Sequence, residues 1–259
     1  MSWAVPQTKI EELSGRLFQL RVADQTELQK VQMDLHQLNE RKPGDSTTLL
    51  LLARVLALLG RRDEAVLKVG GAYSLRKQLD RSWLNLLAMI YAWLGEYERC
   101  REIYDGFVFE DDSKALGAFL DNAARTAVLL GDLEYLAHVS EKSRRAIEKG
   151  LDAYCAQDFL SAIESSEAPK FFPIYQRAVA DVVRGHQVWA NPVLVLDGDF
   201  KLLSLEYVVN VDDRRTLERA IFDASEKAAT DAGFNPSCLL PHVGTELRSV
   251  PSAGLQAVA

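Results

Sequence analysis

Three short stretches of the chain repeat one pattern: LLGRRDEA at 58–65, WLGEYERC at 93–100 and LLGDLEYL at 129–136. Each stretch places an apolar residue and a leucine before a glycine, and charged residues follow. The glycines, Gly60, Gly95 and Gly131, are separated by 35 and then 36 residues. A period of this length is typical of helical repeat proteins, in which each repeat is a pair of helices. The glycines therefore predict tight turns between paired helices.

Aligning the three glycines brings small or apolar residues into the same places of each unit. These places lie where the two helices of a pair would touch: Leu49, Leu52, Leu56 and Ala65; Leu84, Leu87, Tyr91 and Cys100; and Phe119 or Leu120, Ala123, Ala127 and Leu136. One helix pair cannot bury its apolar stripe alone, so consecutive pairs are expected to stack into a curved array. The units run over about 46–80, 81–115 and 117–150.

A further unit without the glycine is predicted upstream, at about 8–44. Its apolar residues recur at helical spacing, at Leu28, Val31, Leu35 and Leu38. Pro43-Gly44 ends this pattern, and Asp45 or Ser46 is available to cap the next helix.

The whole pattern resembles the tetratricopeptide repeat, a helix-turn-helix unit of about 34 residues. The glycine turn is the best-kept part, and Pro43 stands where the closing proline of that family belongs. The sequence departs from the family at Ala53, Ala88 and Ala124, where a first-helix glycine is common, and at Leu136, where a small residue is common. The resemblance covers about residues 8–150. It implies an α-α superhelical array whose concave face, lined by the first helices, holds a segment of another protein.

The resemblance also implies which residues face the groove. Carried over by place, they form a mostly apolar surface with a few polar residues: Leu50, Arg54, Leu58, Asn85, Met89, Trp93, Asp121, Arg125 and Leu129. Tryptophan and arginine often dominate interface energies, and an apolar groove suits an apolar peptide or an amphipathic helix of a partner. Members of the family that grip a C-terminal carboxylate use a set of Lys, Asn, Asn, Lys and Arg at defined places. Because Leu50, Arg54 and Ala118 stand at three of its places, that capture is not expected.

Two alternatives for the groove stay open. The chain's own C-terminal part could pack on Leu58, Met89, Trp93 and Leu129 and cover it. Alternatively, Arg54 and Arg125 together would admit an acidic ligand, unless Asp121, one helical turn from Arg125, neutralises it.

The repeat stops near residue 150, and residues 151–187 read as connecting helices, one of them beginning at Pro173 and ending near Gly185. The apolar period then changes from 3.6 to 2 within NPVLVLDGDFKLLSLEYVVNV at 191–211. Two β-branched and apolar runs flank Asp197-Gly198, which predicts a hairpin with a two-residue turn. Along the second run, one face carries Leu203, Leu205, Tyr207 and Val209.

A helix is predicted after the hairpin, with Asp212 as its N-cap and Gly233 just beyond its end. The segment PSCLLPHV at 236–243 could supply a third strand, which gives a small module at 188–245 and a flexible tail at 246–259. A lone hairpin is marginal in water, so the module must pack on its own helix, on the array or on a second copy. An exposed hairpin edge would allow a homodimer. The fold class is thus mainly α, a TPR-like array followed by a small α/β module.

Composition narrows the classes of partner. The net charge of -7 argues against nucleic acid, because phosphates require clustered Lys and Arg. The longest apolar run, LLLLARVLALLG at 49–60, is too short to span a bilayer, so no membrane association is expected. The start has no basic and apolar leader. The odd set Cys100, Cys155 and Cys238 fits reduced thiols, so we expect a cytoplasmic protein.

Little in the sequence points to catalysis. The four histidines are scattered, and Gly70-Gly71 lacks the Lys-Ser or Lys-Thr of a phosphate loop. Asp197 and Asp199 fit a hairpin turn better than a cation site. We therefore predict no catalytic residues, no cofactor and no metal. The leading hypothesis is a protein-interaction module, an adaptor or chaperone that binds a protein or peptide partner. The alternatives are an enzyme or effector whose C-terminal module is regulated by the repeats, and a structural dimer or assembly component.

Overall fold

The computed structural model describes residues 7–106, 114–165, 169–197, 200–235 and 243–249. Over these residues the chain is mainly α-helical and carries a small three-stranded sheet near its C-terminus, which confirms the predicted mainly α fold class with a small α/β module. No helix in the described ranges is long and apolar enough to cross a membrane.

The elements follow one another as helices first and strands last. The helices of the repeat region are α1 (Gln7–Gln19), α2 (Gln25–Arg41), α3 (Ser46–Leu58), α4 (Arg62–Ser74), α5 (Arg81–Trp93), α6 (Tyr97–Asp105), α7 (Lys114–Leu130) and α8 (Leu133–Glu148). The C-terminal part consists of α9 (Cys155–Glu164), α10 (Phe172–Val183), β1 (Gln187–Asp197), β2 (Phe200–Val209), α11 (Arg214–Asp231) and β3 (Val243–Ser249).

Three helix pairs turn at the predicted glycines. The φ angles of Gly60, Gly95 and Gly131 are 76°, 76° and 67°, in the left-handed region that residues with a Cβ rarely adopt. After α3, the amide of Gly60 and the amide that follows it donate to the carbonyls of Ala57 and Leu56, both at 2.9 Å. The same pair of hydrogen bonds ends α5 and α7, and it is the Schellman motif of a helix C-terminus. The prediction of turns between paired helices is confirmed.

The upstream pair is also present as α1 and α2. The apolar residues predicted from its spacing are all buried: Leu28, Val31, Leu35 and Leu38. Asp45, one of the two predicted caps, begins α3, because its carboxylate accepts a hydrogen bond from the amide of Thr48 at 2.9 Å.

The first helices of the three glycine-turned pairs, α3, α5 and α7, pack against the C-terminal module. α3 contacts α1, α2, α4, α5 and β1, and the residues from Leu50 to Leu58 are buried around the helix. α5 and α7 also contact β1. The chain's own first strand therefore covers part of the face that the sequence assigned to a groove.

The C-terminal module is a hairpin joined to a parallel strand. β1 pairs with β2 antiparallel, and β2 pairs with β3 parallel through the crossover helix α11. The predicted inner face of β2 is confirmed, since Leu203, Leu205, Tyr207 and Val209 are fully buried. α11 packs on α10 and β3. The sheet of the module is therefore covered by a helix, which a lone hairpin in water is not.

One detail of the hairpin is not tested by the described residues, and one detail of its helix differs from the prediction. Asp197 pairs with Phe200, so residues 198–199 link the strands, and the predicted turn geometry lies outside the described residues. The N-cap of α11 is Asp213 rather than Asp212: its carboxylate accepts from the amides of Arg215 and Thr216 at 3.0 and 3.2 Å. These amides are the second and third of the helix, which a capping side chain reaches only from the position next to the first turn.

The third strand lies further along the chain than predicted. β3 begins at Val243, the last residue of PSCLLPHV, and the preceding 236–242 lie outside the described residues. β3 runs to Ser249, four residues into the segment predicted as a tail at 246–259. Its pairing with β2 explains this, because the register from Leu203↔Val243 to Val209↔Ser249 extends to the last residue of β2.

Candidate functional site

A cavity of about 270 Å³ lies where β1 packs against α5 and α7. The array contributes Met89, Trp93, Arg125 and Leu129 to its walls, and β1 contributes Trp189 and Asn191. Met89, Trp189 and Asn191 are only partly buried, so the cavity reaches the surface of the protein. Apolar and aromatic walls with a few polar groups are typical of a binding site.

Four of the nine predicted groove residues meet in this cavity: Met89, Trp93, Arg125 and Leu129. A fifth, Asn85, lies behind it. Its Oδ1 accepts hydrogen bonds from the hydroxyl of Tyr104 at 3.2 Å and from Nδ2 of Asn122 at 3.1 Å. Asn85 therefore orients two residues of the cavity wall.

Arg125 joins the array to the C-terminal module. Its Nη1 donates to Oδ1 of Asn191 at 2.7 Å and to the carbonyl of Pro192 at 2.9 Å. The guanidinium also lies 5.8 Å from the ring centroid of Phe159 on α9. The donors that we predicted for an acidic ligand are thus used in part to hold β1 against α7.

A second cavity of about 270 Å³ lies on the other side of Arg125, between α9 and β1. Asp121 is near it and uses Oδ1 to accept a hydrogen bond from the amide of Cys155 at 3.2 Å. Burial raises the pKa of Asp121. Within the described structure Asp121 and Arg125 do not reach ion-pair distance, although the charge of Arg125 acts on the carboxylate; the hydrogen bond of Asp121 holds the start of α9.

Arg54 lines neither cavity and is buried, with an exposed fraction of 7%. Its Cζ is 3.9 Å from the ring centroid of Phe18 and 5.3 Å from that of Trp93. Nε and Nη1 have no hydrogen-bond partner in the part of the chain that the structure describes, and burial lowers the pKa of this guanidinium to about 10. The other two predicted residues of α3, Leu50 and Leu58, are core residues.

Three side-chain amides of the C-terminal part hold the ends of the three repeat helices. Nδ2 of Asn210 donates to the carbonyl of Gly60 at 2.7 Å, after α3. Nε2 of Gln187 donates to the last carbonyls of α5, those of Ala92 and Trp93, at 2.9 and 2.8 Å. Nε2 of Gln176 donates to the carbonyl of Leu129, near the end of α7, at 2.8 Å. Carbonyls at a helix C-terminus lack partners within the helix, so each amide supplies one.

Two of these amide side chains, those of Gln176 and Gln187, also form buried hydrogen bonds with tyrosine hydroxyls. The hydroxyl of Tyr97 donates to Oε1 of Gln187 at 2.9 Å, and Nε2 of Gln176 donates also to the hydroxyl of Tyr207 at 2.7 Å. Burial raises the pKa of both tyrosines. The module and the array are therefore joined by hydrogen bonds between uncharged groups.

The described thiols are not activated. Burial raises the pKa of Cys100 to about 12, and it also raises the pKa of Cys155. Reactive cysteines have lowered pKa values, so both thiols fit packing roles. Within the described ranges no group of three His, Cys, Asp or Glu residues could hold a metal ion.

Several residues of this region were not predicted: Phe18, Gln176, Gln187, Trp189, Asn191 and Asn210. They lie outside the three aligned units, so the repeat period carries no information on them. Gln187 and its partner Trp93 are 94 residues apart in the chain. The one signal in the sequence was the need for the hairpin to pack on another surface.

No family model, curated protein or solved structure matches this chain.

We expect that replacing Arg54 by methionine raises the free energy of unfolding by about 2 kcal/mol, because it removes a buried charge without an anionic partner. Thermal and urea unfolding of the full chain measure the change. Arg219→Met on the exposed face of α11 is the matched control, with an expected change below about 0.5 kcal/mol.

The free energy of unfolding of Arg54→Met exceeds that of the parent chain by an amount that should shrink as pH rises. The native pKa of Arg54 is about 10, below the ordinary 12.5. As pH rises above about 10, the native state releases this proton before the unfolded state does, so the parent chain gains stability relative to the variant. If the difference in free energy of unfolding is constant from pH 8 to pH 11, or if the variant is less stable than the parent chain, Arg54 is not a buried and unpaired charge.

Proposed function

We propose that this chain is a protein-interaction module, an adaptor or chaperone, whose cavity between α5, α7 and β1 binds an apolar side chain of a partner's peptide segment. The observation that carries the proposal is the convergence of Met89, Trp93 and Leu129 with Trp189 around one open cavity. Aromatic residues and methionine are enriched at the centres of protein interfaces.

The size and polarity of the cavity support a peptide rather than a cofactor. Its volume of about 270 Å³ is below the range of about 300–1,000 Å³ that is usual for small-molecule and cofactor sites. This volume can hold one large side chain. Among the described residues, Oδ1 of Asn122 and Nδ2 of Asn191 have no hydrogen-bond partner, so an acceptor and a donor are available for the backbone of a bound segment.

We also propose that the helix pairs α1–α8 are degenerate tetratricopeptide repeats. The period, the left-handed glycines and the buried Ala65, Cys100 and Leu136 support this assignment. In this proposal β1 occupies part of the concave face. The partner's segment then lies beside β1 and contacts both the array and the module.

Methyl NMR of the full chain tests the binding site directly. The sequence contains three methionines, of which Met89 lines the cavity and Met33 lies on α2 with an exposed fraction of 63%. Peptides are selected from a displayed random library on the full chain, and one synthetic peptide is titrated into protein with ¹³C-labelled methionine methyl groups. We expect the Met89 signal to shift saturably and the Met33 signal to stay unchanged.

Two substitutions give the energetic test. Met89→Ala and Trp189→Ala should each weaken binding of the selected peptide by about 30-fold, the effect of an interface hot spot. Met33→Ala is the matched control and should leave the affinity unchanged. Thermal unfolding checks that each variant is folded. If all of these variants bind the selected peptide with equal affinity, or if only the methyl signal of Met33 shifts, the cavity is not the binding site.

A further inference from the structure

The guanidinium of Arg54 is buried, and no carboxylate of the described residues pairs with it. Two of its nitrogens, Nε and Nη1, are enclosed and have no hydrogen-bond partner. Among the described residues, two aromatic rings flank it, those of Phe18 and Trp93. Buried arginines are normally paired with an anion, and stacking on rings replaces only part of the lost hydration.

The nearby acidic groups do not explain the position of Arg54. Burial is the cause of its lowered pKa, and no described carboxylate acts on it. The surface carboxylates on the neighbouring α1 and α2, such as Glu12 and Glu27, pair instead with Lys9, Arg16 or Lys30. The donors of Arg54 thus remain available to a group from outside the described chain.

A surface side chain, Phe18, covers the guanidinium of Arg54 on one side. Phe18 lies near the end of α1, and its exposed fraction is 52%, although its ring covers the guanidinium at 3.9 Å. Rotation of an exposed side chain is fast and requires no movement of the helices. On the other side lies Trp93, which also lines the proposed peptide cavity. The guanidinium and the cavity therefore share one wall.

We propose that Arg54 binds the carboxylate of an aspartate or glutamate in the same partner segment whose apolar side chain enters the cavity. This inference rests on the proposed function. The planar fork of a guanidinium matches a carboxylate through two parallel hydrogen bonds. One guanidinium neutralises one carboxylate, whereas a phosphate dianion would keep a second charge between two aromatic rings. The partner's recognition element is accordingly an acidic residue near an apolar one.

Peptide selection on two forms of the full chain tests this assignment. The same displayed random library is selected on the parent chain and on Arg54→Met. We expect peptides from the parent chain to carry Asp or Glu at a constant spacing from an apolar residue, and peptides from Arg54→Met to keep only the apolar residue. Arg54→Lys keeps the charge but not the fork, and it should give intermediate enrichment.

A double-mutant cycle measures the pair itself. Changing the enriched acid of a synthetic peptide to its carboxamide should weaken binding to the parent chain by about 30-fold or more. The same change should have no effect on binding to Arg54→Met, whose fold is checked by thermal unfolding. Equal binding of the acid and the carboxamide to the parent chain overturns the inference.

The remaining outcomes separate this inference from the proposed function. Peptides that shift the Met89 methyl signal without an acidic preference overturn the role of Arg54 and leave the proposed function standing. Peptides that bind without any effect at Met89 overturn the proposed function. If the acidic preference is lost when the peptide's C-terminus is amidated, the ligand is a terminal carboxylate, and the assignment to an acidic side chain is overturned.

Discussion

Replacing Gln187 by alanine is expected to lower the free energy of unfolding by about 3 kcal/mol. The amide of Gln187 donates to the carbonyls of Ala92 and Trp93, and its Oε1 accepts from the hydroxyl of Tyr97. These groups are buried, so their lost partners are not replaced by water, and each unsatisfied group costs about 1–3 kcal/mol. Urea unfolding followed by circular dichroism measures the loss.

Two further variants show whether hydrogen bonds or packing cause this loss. Gln187→Glu preserves the shape of the side chain but directs an oxygen at the two carbonyls. At neutral pH it should therefore lower the free energy of unfolding at least as much as the alanine substitution does. Its stability should rise as pH falls, because burial raises the native pKa of the introduced carboxyl and protonation restores a donor. Gln29→Ala on the exposed face of α2 is the matched control, with a change within about 0.5 kcal/mol. If Gln187→Glu is as stable as the parent chain, the stability loss of Gln187→Ala results from lost packing and not from lost hydrogen bonds.

Replacing Gly131 by alanine is the second substitution with a large expected effect, a loss of about 3 kcal/mol. Its φ of 67° costs a residue with a Cβ about 1–2 kcal/mol. The added Cβ would also lie 3.0 Å from Cβ of Gln176 and 3.1 Å from Cα of Pro173, both on α10. Overpacking of this kind costs about 1–3 kcal/mol. Thermal unfolding of the full chain measures the sum.

Gly150→Ala separates the two causes. Gly150 has a φ of 82°, but an added Cβ there would meet no atom within 4 Å. This variant should therefore lose only about 1 kcal/mol, from the strained backbone. The difference between the two variants measures the close approach of α10 to the turn after α7. If both variants lose the same amount, α10 does not pack on that turn.

These two predictions bear on the proposed function as well as on stability. Gln187 binds the carbonyl of Trp93, and the strand that begins with Gln187 carries Trp189 and Asn191. The same contacts that dock the module therefore form one wall of the cavity. Variants that loosen the docking should weaken peptide binding without changing a residue that touches the peptide.

The arrangement of the helix pairs could be predicted because its causes are local. A left-handed glycine ends a helix wherever the chain turns back, so Gly60, Gly95 and Gly131 mark the turns without knowledge of the rest. The alternation of Leu203 and Leu205 with polar residues identified β2 for the same reason. The cap at Asp213 was missed by one residue, because two adjacent aspartates offer the same side chain.

The sequence by itself determined the helix pairs, their period and the change to strands near residue 187, since each depends on residues within one or two turns of one another. Only the tertiary structure decided where the amides of Gln176, Gln187 and Asn210 bind, that β1 closes a cavity over Trp93, and that Arg54 is enclosed between two rings. These contacts join residues that are about 40 to 150 positions apart, and no local pattern encodes them. The docking surface between array and module, and with it the candidate site, is a property of the folded chain.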